Sequence, residues 1–279
     1  MENDKIVIAR IEDKIRQAQN GYYAVATGFL DVHEQTLVRA VARPVPARSP
    51  GGASGQPWQI AEGVFTTGDV TLVLYGGYPG ADRRILVAAP RDLAETAEAV
   101  LSLDDWLAAV RVSLPGGAGA RLLTHRDYLG SVLGLGLERS VIGDILVRSD
   151  GADIVIKPEM TEFLLSQYSK AGRANLKLEA ISVSELIIPE QRTEEVRCTV
   201  SSLRLDNLVS AAFGVSRADA AAAISRGLVS LDHYEATKAD KRVEPGSTVV
   251  LRGKGKVLLK SEDGTTKKGK TVITVLKYK

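Results

Sequence analysis

Residues 201–234 read SSLRLDNLVSAAFGVSRADAAAAISRGLVSLDHY, and their spacing decides the architecture of the C-terminal part of the chain. Leu205, Leu208, Val209 and Ala212 stand at i, i+3, i+4 and i+7, which predicts one helix with a single apolar stripe, and Gly214 supplies a left-handed stop. Ser216 and Asp219 have the spacing of a capping box and predict a second short helix that ends at Gly227. Two short helices joined by so tight a corner project Arg204, Arg217 and Arg226 together, while Phe213, at the end of the first helix, belongs in the core.

Charge follows the same division. From Arg197 to Lys279 there are sixteen Lys and Arg against eight Asp and Glu, and the preceding residues carry twenty against twenty-six, so a net charge of +2 hides a segment of +8 on a body of −6. Positive potential concentrated on one module points to a polyanion, for which nucleic acid is the default. Beyond the two helices the pattern is β: LVSLDHY, a turn-rich KADKRVEPGS, TVVLRGKGKVLLKS, a turn at Asp263-Gly264 and a basic strand to Lys279. In the run from Arg252 through Lys254 to Lys256 the intervening glycines would let backbone amides approach a phosphate, and a solvated hairpin is the competing reading. Phe213, Tyr234 and Tyr278 are the module's few aromatics. Shape and phosphate recognition of folded RNA is therefore expected in preference to base stacking.

At 279 residues the chain is long enough for two or three domains. Residues 1–68 are expected to form a small, mainly helical unit, with Ile6, Ile8, Ile11 and Ile15 on one side of a first helix, Asp31 capping a second, and a Pro/Gly/Ser-rich loop at 44–57. Residues 69–188 open with β runs split by a turn at Tyr78-Pro79-Gly80, then a helix over Arg91–Leu101. From Leu107 the order is LAAVRVSL strand, HRDYLGSVLGL helix, DILVRS and DIVIKP strands about Asp150-Gly151, EMTEFLLSQYSKAG helix and NLKLEAIS strand. That β-α-β-β-α-β order is ferredoxin-like, shared by RNA-recognition modules, yet Ala152–Pro158 has no aromatic for stacking, so any RNA contact must use another surface. Pro189–Glu195 reads as a polar linker to a C-terminal domain at 197–279. The fold class is α+β.

Composition excludes several function classes. The hydrophobic fraction of 44% and charged fraction of 25% are those of a folded globular protein. Cys198, the lone cysteine, can form neither an internal disulfide nor a cysteine cluster, which favours the cytoplasm. No apolar run approaches the ~20 residues of a membrane span, and the opening MENDKIVIARIEDK is too charged for a signal-peptide core. His125-Arg126-Asp127 has a kinase-like order, but the Asn required five residues on is Val132, so these residues are expected simply to begin a helix. Gly134 and Gly136 lack the third glycine of a dinucleotide loop, and His33, His125 and His233 have no ligand-like spacing. With no G-x-S-x-G either, neither a catalytic residue nor a cofactor or metal is expected.

Three elements then carry a resemblance: R-L-D at Arg204 to Asp206, S-R-x-x-A at Ser216 to Ala220 and R-G-x-V at Arg226 to Val229. Together they resemble the S4 domain. With THRDYLGSVLGLG at 124–136, GDILV at 143–147 and KAGRANL at 170–176, the chain from about Gly76 onward resembles the YlmH family of bacterial S4 proteins. The resemblance implies a non-enzymatic RNA-binding protein on large-subunit ribosomal RNA and tRNA, acting with quality-control factors in C-terminal tailing of obstructed nascent chains. It implies RNA contacts by Arg204, Ser216, Arg217 and Arg226, with secondary phosphate contacts by Arg252, Lys254 and Lys256. No small-molecule substrate is implied. Asp219 and Ser247 depart from the usual S4 pattern; the first is expected to cap the second helix. Two other S4-bearing classes are enzymes. Pseudouridine synthases are not expected because so little chain follows the S4 segment, nor tyrosyl-tRNA synthetases, whose H-I-G-H and K-M-S-K-S signatures are missing. The alternatives are an RNA-modifying or tRNA-handling enzyme with its site near Arg126 and Asp127, and an interaction protein linked to cell division.

Overall fold

The structure is a computed structural model that describes residues 2–45, 63–115, 123–189, 193–232, 234–267 and 269–278. His233 and most of the Pro/Gly-rich stretch, from residue 46 onward, lie outside them. The chain divides into two compact units, Met1–Pro189 and Glu190–Lys279.

The first unit opens with helix α1 (Glu2–Gly21), whose buried stripe is Val7, Ile11, Ile15 and Ala18. Ile6, expected on that stripe, is 48% exposed, because the spacing from Val7 keeps one face of a 3.6-residue repeat and Ile6 falls outside it. Strands β1 (Val25–Ala26), β2 (Arg43–Pro44), β3 (Val64–Thr67), β4 (Val70–Tyr75) and β5 (Ile85–Pro90) form one antiparallel sheet in the order β1-β5-β4-β3-β2. The described part of 1–68 is mainly helical as expected, but it also contributes β1, β2 and β3 to this sheet, so a boundary at 68/69 would cut the β3–β4 hairpin between Thr67 and Val70, which pair. Short β1 and β2 escaped notice because two-residue strands have no periodicity to detect. Helix α2 (Val32–Thr36) starts at Asp31 with the expected cap, completed by Glu34 as a capping box. Helix α3 covers only Ala97–Leu101, since Thr96 caps it and residues 90–94 are spent on a turn at Pro90.

The continuous apolar runs of β4 and β5 follow from burial on both faces. Leu72, Leu74, Leu86 and Ala88 pack with the α1 stripe, while Val73, Ile85, Val87 and Ala89 share an apolar cluster with Phe29, Trp106, Leu107 and Val155.

Val155 belongs to the second sheet of this unit. Its elements are β6 (Ala108–Ser113), α4 (His125–Leu133), β7 (Ile142–Val147), β8 (Gly151–Ile156), α5 (Thr161–Gln167), a small hairpin of β9 (Lys170–Ala171) and β10 (Ala174–Asn175), and β11 (Lys177–Ile181). The four main strands lie in the order β11-β6-β8-β7 with antiparallel neighbours, the ferredoxin-like arrangement expected from the element order. Helix α5 ends earlier than its sequence suggested, because Gly172 (φ 57°) turns the chain into the β9–β10 hairpin. Ala152, Ile154 and Ile156 face the α4 and α5 core with Tyr128, Val132 and Leu164.

The opposite face of this sheet is closed. Val155 is covered by the first sheet, and Asp153, with 0% exposure, accepts both Arg111 Nε and Nη2 at 2.9 Å, Arg148 Nη1, and the Ile187 N–H at 3.0 Å. Burial alone would raise the Asp153 pKa, but these donors hold it below the ordinary aspartate value. Asp144 ties the two sheets together by accepting the Tyr78 hydroxyl at 2.7 Å and the N–H groups of Asp82 and Arg83 at 2.8 and 3.0 Å.

The second unit begins with β12 (Thr193–Val200), so Thr193–Glu195 are strand and not linker; Val196, Cys198 and Val200 point inward in alternation behind an exposed polar row that masked them. Helices α6 (Leu205–Phe213) and α7 (Arg217–Ser225) follow, then β13 (Val229–Leu231), β14 (Tyr234–Glu235), β15 (Thr248–Leu251), β16 (Gly255–Thr265) and β17 (Thr271–Tyr278), in one sheet ordered β12-β17-β16-β15-β13-β14. Asp263-Gly264 is not the hairpin turn: Gly264 (φ 113°) sits in an irregularity inside β16, and the chain reverses at 266–270.

Gly143 on β7 allows the two sheets of the first unit to close. A Cβ there would lie 2.7 and 2.8 Å from the ring of Phe29, which is 3% exposed, and 3.1 Å from Val155. Gly143→Ala is expected to destabilise the protein by about 1–3 kcal/mol, seen as a lower urea midpoint. Gly130→Ala, inside α4 where a Cβ meets nothing within 4 Å, is the control and should be neutral or stabilising by up to ~1 kcal/mol.

Candidate nucleic-acid interface

The corner expected at residues 205–227 forms as the spacing predicts. Leu205, Leu208, Val209, Ala212 and Phe213 are buried, Gly214 (φ 65°) stops α6 and Gly227 (φ 68°) follows α7. Ser216 caps α7 by accepting the Asp219 N–H at 3.0 Å, and its hydroxyl donates to the Asp219 carboxylate at 2.7 Å, so the return bond of the expected capping box goes to the side chain.

At the centre lies Asp206, in the first turn of α6 with a side chain only 6% exposed. It accepts Arg204 through Nε and Nη2, both at 3.1 Å, and Arg217 through Nε at 3.1 Å. Burial pulls its pKa up, while the two guanidinium groups and the Asn207 N–H lower it further, leaving it below the ordinary aspartate value. Hydrogen bonding to Asp206 raises the Arg204 pKa. The arginines remain 41% and 56% exposed, and the donors that Asp206 does not use are Nη1 of Arg204 and both Nη of Arg217. Two guanidinium groups are thereby held at fixed positions with N–H groups to spare, the arrangement that suits a phosphate oxygen.

A loop that the sequence pattern marks only as turn adds to this edge. Leu205 and Asp206 donate their N–H groups to the carbonyls of Lys241 and Ala239, both at 2.9 Å, and Arg204 bridges Arg242. Exposed Lys238 and Lys241 therefore flank Arg204, and Arg242 pairs with Glu244 at 2.9 Å. The density of charge in KADKRV was the available signal; the R-L-D motif marked Asp206 without revealing its role, because its partner Arg217 lies eleven positions away and meets it only once the corner has folded.

The other expected contacts form a second group. The Arg252 N–H donates to the Leu228 carbonyl at 2.9 Å and Val229 pairs with Leu251, which sets Arg252 beside the end of α7 where Arg226 is exposed. Lys254 lies in the turn between β15 and β16, closed by its N–H to the Leu251 carbonyl, and Lys256 Nζ stands 4.9 Å from the centroid of the Tyr278 ring. Ser247, in place of the customary Asp, donates to Asp232, which also accepts the Thr248 N–H.

Residues 120–185 match the family described as a putative RNA-binding domain in YlmH, and residues 203–249 match the S4 domain. Over 264 residues, 95% of this chain and 91% of the relative, it is 29% identical to ribosome-associated protein quality control protein P2 of Bacillus subtilis (strain 168). Over nearly its whole length the chain is thus similar to the YlmH family of S4 proteins. Among solved structures, cell division protein ylmH from Streptococcus pneumoniae aligns with a TM-score of 0.46 at 18% identity, covering 66% of this chain and 94% of that one. The YlmH-type chain described here is accordingly an RNA-binding protein. No helix among the described residues is long and apolar enough to cross a membrane.

Because the folded pKa of Asp206 is depressed, its stabilisation is complete above the unfolded aspartate pKa of about 3.9 and is lost as pH falls through the lower folded value. NMR titration should place the Asp206 carboxyl below that reference. Asp206→Ala should cost the second unit about 1–2 kcal/mol at neutral pH, a figure reduced by solvent screening of the two half-exposed arginines.

Proposed function

We propose that the protein binds structured RNA of the large ribosomal subunit, and tRNA held there, through the α6–α7 corner, and that it serves ribosome-associated quality control, including C-terminal tailing of obstructed nascent chains, without catalysis of its own. The observation that carries this reading is the pair Arg204 and Arg217 anchored on buried Asp206 in the +8 part of the chain. The name of the Bacillus subtilis relative supports the ribosomal setting. Arg204 and Arg217 are the principal phosphate contacts, with Arg226, Arg252, Lys254 and Lys256 as a second set; Ser216 contributes by fixing the start of α7. In this reading the protein works in the cytoplasm with quality-control factors and no small-molecule substrate.

Co-sedimentation with large ribosomal subunits and filter binding to their RNA test the proposal. Arg204→Glu and Arg217→Glu should each weaken binding about tenfold or more, with the log–log salt dependence shallower by about one unit for each phosphate no longer engaged. Lys267→Glu, in the turn between β16 and β17, should have a smaller effect. Asp206→Ala is the discriminating variant. It makes the protein more positive, so simple charge attraction predicts tighter binding, whereas removal of the anchor for both arginines predicts weaker binding. Parent-like binding by both arginine variants would overturn the assigned face, and new modified nucleosides after incubation with ribosomal RNA would overturn the non-catalytic reading.

A further inference from the structure

Away from the S4 unit, the first unit contains a cavity of about 390 Å³ beneath α1, within the size range of small-ligand sites. Its apolar side is made by Val7, Ile11, Phe29 and Leu30, and its cationic side by Arg83 and Arg139, with Arg10 and Lys14 of α1 also lining it.

The state of the two inner arginines is unusual. Arg83 is half-buried, and its guanidinium donates to three neutral carbonyls, Ile142 at 3.0 Å, Phe29 at 3.0 Å and Arg139 at 2.9 Å, with no direct ion pair among the described residues. Arg139 Nη1 is buried with no hydrogen-bond partner among the described residues. Burial first, and then the charge of Arg83, lowers the pKa of Arg139. A desolvated guanidinium with an unpaired donor costs free energy, and negative charge bound beside it in the cavity would offset part of that cost.

The carboxylates at the rim are already engaged. Asp31 and Glu34 accept each other's backbone N–H in the capping box of α2, and Asp13 pairs with Arg16. With Asp13 offset by Arg16 outside the lining, four lining cations face the two carboxylates Asp31 and Glu34, an excess of positive charge that suits an anionic ligand, and a guanidinium fork matches phosphate better than a point charge does.

We propose that this cavity binds a small phosphate monoester of mononucleotide size, with its phosphate held among Arg10, Lys14, Arg83 and Arg139. The same chemistry is presented by a free mononucleotide and by the 5′-terminal nucleotide of an RNA.

Isothermal titration of the full chain tests it, with adenosine monophosphate, adenosine, inorganic phosphate and a short oligoribonucleotide with or without a 5′-phosphate as probes. Adenosine monophosphate should bind, inorganic phosphate more weakly, and adenosine not measurably. Arg139→Gln should weaken binding about tenfold or more. Arg10→Gln and Lys14→Gln, outside the buried stripe of α1, should weaken it too and leave folding intact. Arg217→Glu should bind like the parent, which separates this site from the S4 face. Binding of the 5′-phosphorylated oligonucleotide alone, abolished in Arg139→Gln, would identify an RNA terminus as the source. No binding by any phosphate probe, or parent-like binding by Arg139→Gln and Lys14→Gln together, would overturn the proposal.

Discussion

The α6–α7 corner depends on one desolvated carboxylate. Asp206 occupies the first turn of α6, where the helix dipole favours negative charge, and its burial becomes tolerable because two arginines and a backbone N–H converge on it. Its effect is geometric more than energetic. A free arginine loses side-chain entropy when it grips a phosphate; one already fixed by a carboxylate has given up much of that freedom beforehand. The corner itself is held by Leu205, Leu208 and Val209 against the sheet of the second unit, so the packing of α6 sets where Asp206 sits, and Asp206 sets where the charges point.

Among the described residues the same Arg-Asp-Arg chemistry appears twice, with opposite consequences. Around Asp153 the arginines are nearly enclosed, Arg148 at 8% and Arg111 at 19% side-chain exposure, and their donors are spent on Asp153, Asp150 and the Glu185 carbonyl. That cluster locks residues 185–187 over the ferredoxin-like sheet. Around Asp206 the arginines keep donors in solvent. Exposure of the cation, not the identity of the pair, separates a structural clamp from a surface available to a polyanion.

Sequence pattern was sufficient where one periodicity ran long enough to be read. The α6 stripe, the stops at Gly214 and Gly227, the β-α-β-β-α-β order and the cap at Asp31 all appear in the structure because each depends on neighbours within one helical turn or on alternation along one strand. The five-stranded N-terminal sheet was not legible, since two of its strands have two residues and β1 reaches its partner β5 across some sixty positions. At the candidate site, Arg204, Arg217 and Arg226 could be grouped from helix geometry, but the joining of Arg226 to Arg252 through Leu228 is a long-range backbone contact. The exposed β12 failed for a third reason: its outward residues are charged, so its inward Val196, Cys198 and Val200 resembled scattered apolar residues of a linker.

How the protein reads RNA follows from which surfaces are closed. The sheet face on which an RNA-recognition module stacks bases is occupied by Val155 beneath the first sheet and by the Asp153 cluster, and β8 has no aromatic there. In the second unit Phe213 is buried at 7%, and the Tyr278 ring lies beneath Lys256. With these surfaces committed, what the described residues offer an RNA is arginine and lysine on a rigid frame. Such a surface gains little from unpaired bases and much from the spacing of phosphates in a folded RNA, so its selectivity must reside in shape. On the proposed reading, holding Arg204 and Arg217 in place would be the origin of specificity: two loose cations would accept any backbone, whereas two cations pinned to one carboxylate would accept only phosphates that arrive at their separation.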